Sequence, residues 1–153
     1  MEYPTWYIDL QEFFPVEEMK RYAHLAALLS NSDKHYQLLQ TNEYILLYVN
    51  HPNFIHIDYL YVYPQMRRNG IGAKLIAQLH QQYPDKLFIL EAENENCPED
   101  AEMIAKRLKF YRNVGFRCRF LYSYLPQFYF SPEIIPRDAK HILVEVVYLF
   151  FTI

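Results

Sequence analysis

Residues Arg67-Arg68-Asn69-Gly70-Ile71-Gly72 bring together groups that could hold an anion. They follow a strand-like stretch, Phe54 to Tyr63, and open a helix-like stretch, Ala73 to Gln82. The first N–H groups of a helix have no intrahelical partner, and the helix dipole is positive at that end. Glycine lets the backbone approach a phosphate because no Cβ intervenes. Arginine adds a forked, charge-assisted donor. The expected chemistry is phosphate binding by Arg67, Arg68, Asn69, Gly70, Ile71, Gly72 and Ala73, largely through backbone N–H groups, with charge added by Lys74. The loop has no G-x-x-x-x-G-K-[ST] pattern, and Leu75 stands where a dinucleotide fingerprint needs its third glycine.

A second motif lies downstream: Lys109-Phe110-Tyr111-Arg112-Asn113-Val114-Gly115-Phe116. R-x-x-G-x-G between a strand and a helix, followed by F-Y-x-x-x-G-F, resembles the GNAT acyltransferases (Gcn5-related N-acetyltransferases). The resemblance spans nearly the whole chain and is thinnest over the first 50 residues. Arg68 departs from the family's commonest form, where a small residue stands, and adds charge.

The resemblance implies acyl transfer from acetyl-CoA, a cosubstrate, to an amine. The phosphates must be held, the thioester positioned, the amine deprotonated and the leaving thiolate protonated. Family resemblance assigns the positioning to the backbone of Leu60, Tyr61 and Val62, which would pair with the pantetheine arm as a strand does. It adds Asn94 or Asn96 as a pantetheine contact and Tyr111 as general acid. A phenol keeps its proton up to pH ~10 and can donate it to a thiolate. For the base there are three candidates. His56 and Asp58 lie two apart and share a side on a regular strand, unless a bulge intervenes. Glu91 ends the next strand. Histidine needs little tuning for this work, whereas a carboxylate needs a raised pKa or a bridging water.

Six carboxylates fall within twelve residues, from Glu91 to Glu102. They read as a solvated loop and an acidic helix start, or as a field drawing in a cationic amine. The proline-punctuated stretch from Pro126 to Asp138 is long for a loop. In the family it helps wall the acceptor pocket, where Tyr124, Phe128 and Tyr129 could stand.

The elements that must position these groups read as β-α-β-β-β-α-β-α-β-β. Trp6 to Leu10 reads as a first strand, and a helix runs from Pro15 to about Leu29. His35 to Gln40 and Glu43 to Val49 form a hairpin turning at Thr41-Asn42. Phe54 to Val62 is the central strand. Ile71, Leu75, Ile76 and Leu79 give the next helix its stripe. Leu87 to Leu90 reads as a buried strand, and Ala101, Ile104, Ala105 and Leu108 mark a further helix, with Gly115 just past its end. Phe116 to Leu125 and Ile142 to Phe150 are expected to be antiparallel partners. The resulting fold class is α/β (α+β): a GNAT-like mixed, mostly antiparallel twisted sheet of about seven strands flanked by helices, as a single domain over residues 1–153.

Composition sets the outer bounds. Of 153 residues, 52% are hydrophobic and 22% charged, which describes a globular chain and excludes a disordered one. A net charge of −3 argues against nucleic-acid binding, and no apolar run approaches a membrane span. Cys97 and Cys118 show no metal-ligand spacing, so no metal is expected, and reduced thiols fit a cytoplasmic protein. The 15 tyrosines and 11 phenylalanines read as core filling before they read as a substrate pocket. The expected acceptor is a small-molecule amine or a protein amino group. The competing readings are a non-catalytic acyl-CoA-binding or regulatory module on the same fold, and an interaction protein pairing through an apolar edge such as Val146 to Phe151; a homodimer through the terminal strands is a separate expectation.

Overall fold

The computed structural model describes residues 2–14, 16, 18–31, 33, 35–93, 101–121 and 146–151. The chain divides into two compact units, residues 1–84 and 85–153.

The first unit begins with two helices, α1 (Thr5–Phe13) and α2 (Tyr22–Ser30). The expected first strand is therefore a helix. Ile8 is 39% exposed, whereas Trp6, Tyr7 and Leu10 are buried. That is helical spacing, one turn from Trp6 and Tyr7 to Leu10. Pro4 stands at the N-cap, and its carbonyl accepts the N–H groups of Tyr7 and Ile8 at 3.0 and 3.3 Å. Proline suits the start of a helix, because its missing N–H would have had no partner there. The expected helix start at Pro15 lies outside the described residues, and α2 begins only at Tyr22.

Strands β1 (Tyr36–Gln40), β2 (Tyr44–Asn50) and β3 (Phe54–Val62) form the expected antiparallel meander. Helix α3 (Ile71–Gln82) follows, after a short 3₁₀ turn at Pro64–Met66. Ile45, Leu46, Leu47 and Tyr48 are all buried, so β2 is covered on both faces. One face meets α1 and α2: Trp6, Tyr7, Leu10 and Leu25 pack with Tyr36, Ile45, Leu47, Tyr59 and Tyr61. Phe13 packs at a tilt against Tyr61 and Phe14 edge-on against Tyr59, with ring centroids 5.1 and 5.3 Å apart. In this unit the aromatic surplus is core.

The pairing of β2 with β3 contains a bulge. Leu47 lies opposite Tyr59 and Tyr48 opposite Ile57, which leaves Asp58 without a partner on β2. Burial nonetheless alternates without a break from Ile55 to Tyr61. The alternation hides a change of face: Ile57 shares the face of Tyr48, whereas Tyr59 and Tyr61 share that of Leu47 and Ile45.

The second unit contains β4 (Leu87–Glu93), α4 (Ala101–Asn113), β5 (Phe116–Leu121) and β6 (Val146–Phe151). Of the continuous apolar run Leu87 to Leu90, Phe88, Ile89 and Leu90 are buried, as expected, while Leu87 is 40% exposed. Gly115 adopts φ 110° just past α4, a conformation for which glycine is suited. β5 and β6 are antiparallel partners, as expected. However, β6 also pairs with β4, through Phe88↔Phe151 to Glu93↔Val146. Val146 to Phe151 is therefore not an edge, and its N–H and C=O groups are used on both sides. This removes Val146 to Phe151 as an edge for strand-to-strand association. Six strands are found among the described residues, against about seven expected, because the first is α1. No helix among the described residues is long and apolar enough to cross a membrane.

Three tyrosines tie stability to alkaline pH. Burial, first of all, holds the hydroxyls of Tyr36, Tyr48 and Tyr59 above the ordinary tyrosine range; Asp58 adds to this at Tyr36 and Tyr59, and Tyr83 at Tyr48. Above pH ~10 the unfolded chain loses these protons while the folded chain keeps them. The unfolded state then binds fewer protons, so stability falls as pH rises. Unfolding free energies from urea titrations should be flat between pH 8 and 9.5 and decline above pH ~10, by up to about 1.4 kcal/mol per tyrosine per pH unit. A flat profile to pH 11 would contradict this.

Candidate functional site

Helix α3 starts at Gly70, which adopts the left-handed conformation (φ 72°, ψ 14°) and makes no side-chain cap. Arg68, two residues earlier, also has positive φ, at 67°. Outside glycine this conformation costs about 1–2 kcal/mol. Repeated passage through the left-handed region turns successive N–H groups toward one side, which makes an anion-binding concavity. The Lys74 N–H reaches the Gly70 carbonyl at 3.0 Å, closing the first helical turn. The N–H groups of Ile71, Gly72 and Ala73 precede that bond and have no partner within the helix. A Cβ placed on Gly70 would meet nothing within 4 Å, so the space beside the loop is open. Arg68, Asn69, Gly70 and Lys74 are exposed, while Ile71, Gly72 and Ala73 are half-buried. Beside this turn lies a cleft of about 430 Å³, bordered by Thr41 and Glu43 from the β1–β2 turn and by Asn69, Ile71 and Lys74. A loop of this geometry fits a pyrophosphate.

Arg67 behaves differently from its neighbours. Its Nε donates to the Val62 carbonyl at 2.8 Å, and its guanidinium lies over the rings of Phe13 and Tyr61, 5.0 and 5.6 Å from their centroids. The side chain therefore braces the loop against β3 and α1. Leu60, Tyr61 and Val62 pair with Leu46, Ile45 and Tyr44 of β2. Tyr61 puts its ring into the α1 face.

Asp58 and His56 share one face of β3. His56 lies opposite Val49, which packs against the α1–α2 cluster. Asp58, at the bulge, reaches the same side. Its Oδ1 accepts Lys20 Nζ at 2.5 Å, and its Oδ2 accepts the Tyr36 hydroxyl. Its side chain is 11% exposed and that of Lys20 38%. Around them, the Lys20 N–H donates to the Tyr59 hydroxyl at 2.9 Å, which donates to the Glu18 carbonyl at 2.7 Å. The Tyr7 hydroxyl donates to the Lys20 carbonyl at 3.1 Å. The sequence holds no signal for this network, because Lys20 and Asp58 are 38 residues apart. Asp58→Ala strips a buried hydroxyl of its acceptor and should cost roughly 1–3 kcal/mol of stability, as a lower urea midpoint. An unchanged midpoint would show the network to be inert.

Tyr111 lies on α4, its ring 5.3 Å from Phe110 and 5.8 Å from Phe116. Burial pushes its hydroxyl above the ordinary tyrosine value, against a smaller opposing effect of Arg107. Glu91 lies on β4 opposite Tyr148 of β6. Asn94, Asn96, most of the acidic segment and the proline-punctuated loop lie outside the described residues. The structure thus brings together the 67–74 loop, the end of β3 and the His56–Asp58 pair within the first unit. Tyr111 and Glu91 belong to the second.

On an α+β scaffold, a bulged strand is followed by a helix that starts at a left-handed glycine with open space beside it. Residues 27–118 match the model of the Acetyltransferase (GNAT) domain, and the chain belongs to that family. It is 40% identical over 113 residues to YjbC of Bacillus subtilis (strain 168), a protein that carries the name of an acetyltransferase. That match takes in 74% of this chain and 57% of YjbC, so the chain spans little more than half of that relative. A GNAT-family structure from Bacteroides thetaiotaomicron superposes with a TM-score of 0.66 at 19% identity, covering 94% of this chain and 76% of the other. Another, from Desulfovibrio desulfuricans, gives 0.61 at 15% identity, with coverages of 95% and 87%. These two likenesses establish the GNAT-like α+β fold.

Proposed function

We propose that this protein is an N-acetyltransferase that moves an acetyl group from acetyl-CoA to a primary amine, with a small molecule as acceptor, in the cytoplasm. The observation that carries the reading is the start of α3: left-handed, uncapped, flanked by open space and bordered by Arg68 and Lys74. In this reading the N–H groups of Ile71, Gly72 and Ala73 hold the pyrophosphate, with Asn69 and Gly70 shaping the turn. Arg67 holds the loop to Val62, and Arg68 and Lys74 supply charge. The backbone of Leu60 to Val62 aligns the pantetheine arm, which Asn94 or Asn96 would also contact. Tyr111 protonates the departing thiolate; its raised pKa keeps that proton in place at neutral pH. His56, Asp58 or Glu91 takes the amine's proton, directly or through a water. The family match crosses the boundary between the two units, which supports one functional domain over residues 1–153.

A second reading, a non-catalytic acyl-CoA-binding module, draws on one observation: the Asp58 carboxylate is already engaged by Lys20 and Tyr36. Calorimetric titration with acetyl-CoA and with free coenzyme A tests both. Micromolar binding, followed by thiol release with an amine, supports the enzyme. Binding without turnover of any amine supports the module. No binding by folded protein overturns both.

A further inference from the structure

The Asp58 network is built like a receptor for an organic cation. A carboxylate that is 11% exposed accepts a hydroxyl on one oxygen and an ammonium on the other. The same ammonium lies 5.0 Å from the centre of the Tyr59 ring. Carboxylate and aromatic face together are a general means of binding alkylammonium groups. The carboxylate is delivered by a bulge, a device that re-aims a side chain and is frequent beside active sites. It stands two residues before Leu60 on the same strand. In the acyltransferase reading, Leu60 begins the segment that aligns the thioester.

The cation now in this receptor is the chain's own. Lys20 is 38% exposed and enters from the solvent side. Its backbone is tied independently, N–H to the Tyr59 hydroxyl at 2.9 Å and carbonyl from the Tyr7 hydroxyl at 3.1 Å. The side chain can therefore leave without releasing the main chain. An external ammonium would replace the Lys20 ammonium in kind, so the exchange opposes only the high effective concentration of a tethered group. The freed side chain regains rotamer entropy.

Resting on the acyltransferase reading, we propose that Asp58, Tyr36 and Tyr59 form the subsite for the acceptor's ammonium group. Lys20 fills that subsite as a tethered surrogate, and the acceptor is a lysine-like primary alkylamine that displaces it.

The test uses n-butylammonium as probe and uncharged 1-butanol as control, by calorimetry on the full chain. Lys20→Met should bind n-butylammonium at least about tenfold more tightly than the wild type, since the tethered competitor is gone. Asp58→Asn in that background should abolish the gain, and 1-butanol should show none. Equal affinity of the wild type and Lys20→Met overturns the proposal. Should Lys20→Met fail to fold, wild-type protein carrying ¹⁵N-lysine decides the matter. Saturating n-butylammonium should shift the Lys20 Nζ resonance toward that of solvent-exposed lysines, and an unmoved resonance overturns the proposal. Titration of the same samples with acetyl-CoA separates the two claims. If acetyl-CoA fails to bind while n-butylammonium displaces Lys20, the acyltransferase reading falls and the cation site stands. If acetyl-CoA binds and the cation does not, only the cation site falls.

Discussion

Gly72→Glu should abolish coenzyme A binding while leaving the protein as stable as before, or more so. Gly72 lies in the first turn of α3, where its N–H has no intrahelical partner. A glutamate there would strengthen the helix in two ways. It replaces glycine, which is worth about 0.5–1 kcal/mol in a helix, and it sets a negative charge at the positive end of the dipole, worth about 0.3–1 kcal/mol. The same carboxylate would stand where the pyrophosphate must sit and would repel it. We expect acetyl-CoA affinity to fall at least ~100-fold, about 2.7 kcal/mol, by calorimetry. The melting temperature should hold or rise. The opposite signs matter, because a mutation that merely damaged the fold would lower both. If Gly72→Glu bound acetyl-CoA as the wild type does, the phosphate would have to be held elsewhere.

Tyr111→Phe should separate turnover from binding in the other direction. The substitution removes one hydroxyl and keeps the ring that packs against Phe110 and Phe116. Losing a positioned proton donor costs ~100-fold or more in kcat. Acetyl-CoA affinity should stay within about twofold, because the donor acts on the departing thiolate and not on the phosphates. The wild-type pH profile gives a second check. Burial raises the pKa of Tyr111, so its donor form persists through the ordinary tyrosine range and above it. The kcat profile should then show no alkaline fall due to this group below pH ~10. Full activity in Tyr111→Phe would exclude Tyr111 as the acid. A fall in kcat at pH 8 that Tyr111→Phe retained would point to another donor.

Local signals were legible where one face of one element settles the outcome. The stripe Leu75, Ile76 and Leu79 marked α3, and all three are buried. Thr41-Asn42 marked the β1–β2 turn, and Gly115 marked the end of α4 with φ 110°. The glycine-led start of α3 was legible for the same reason: orphan N–H groups and glycine freedom are properties of a few adjacent residues. The first element misled because bulky aromatics favour strands in general, and alternation over five residues fits either period. Packing on β3 decided for the helix, since Trp6, Tyr7 and Leu10 fall together only at helical spacing.

The sequence by itself therefore determined the glycine-led start of α3, the family motifs and most of the elements, because each rests on residues close together along the chain. Tertiary structure alone decided three things. Arg67 braces the loop through Val62, Phe13 and Tyr61 instead of reaching outward. β6 lies between β4 and β5 and is no edge. Asp58, released from the ladder by a bulge, meets Lys20 and Tyr36. Each of these depends on partners brought together by folding, from strand order, register and the docking of α1 and α2. No local pattern of residue types encodes such long-range geometry.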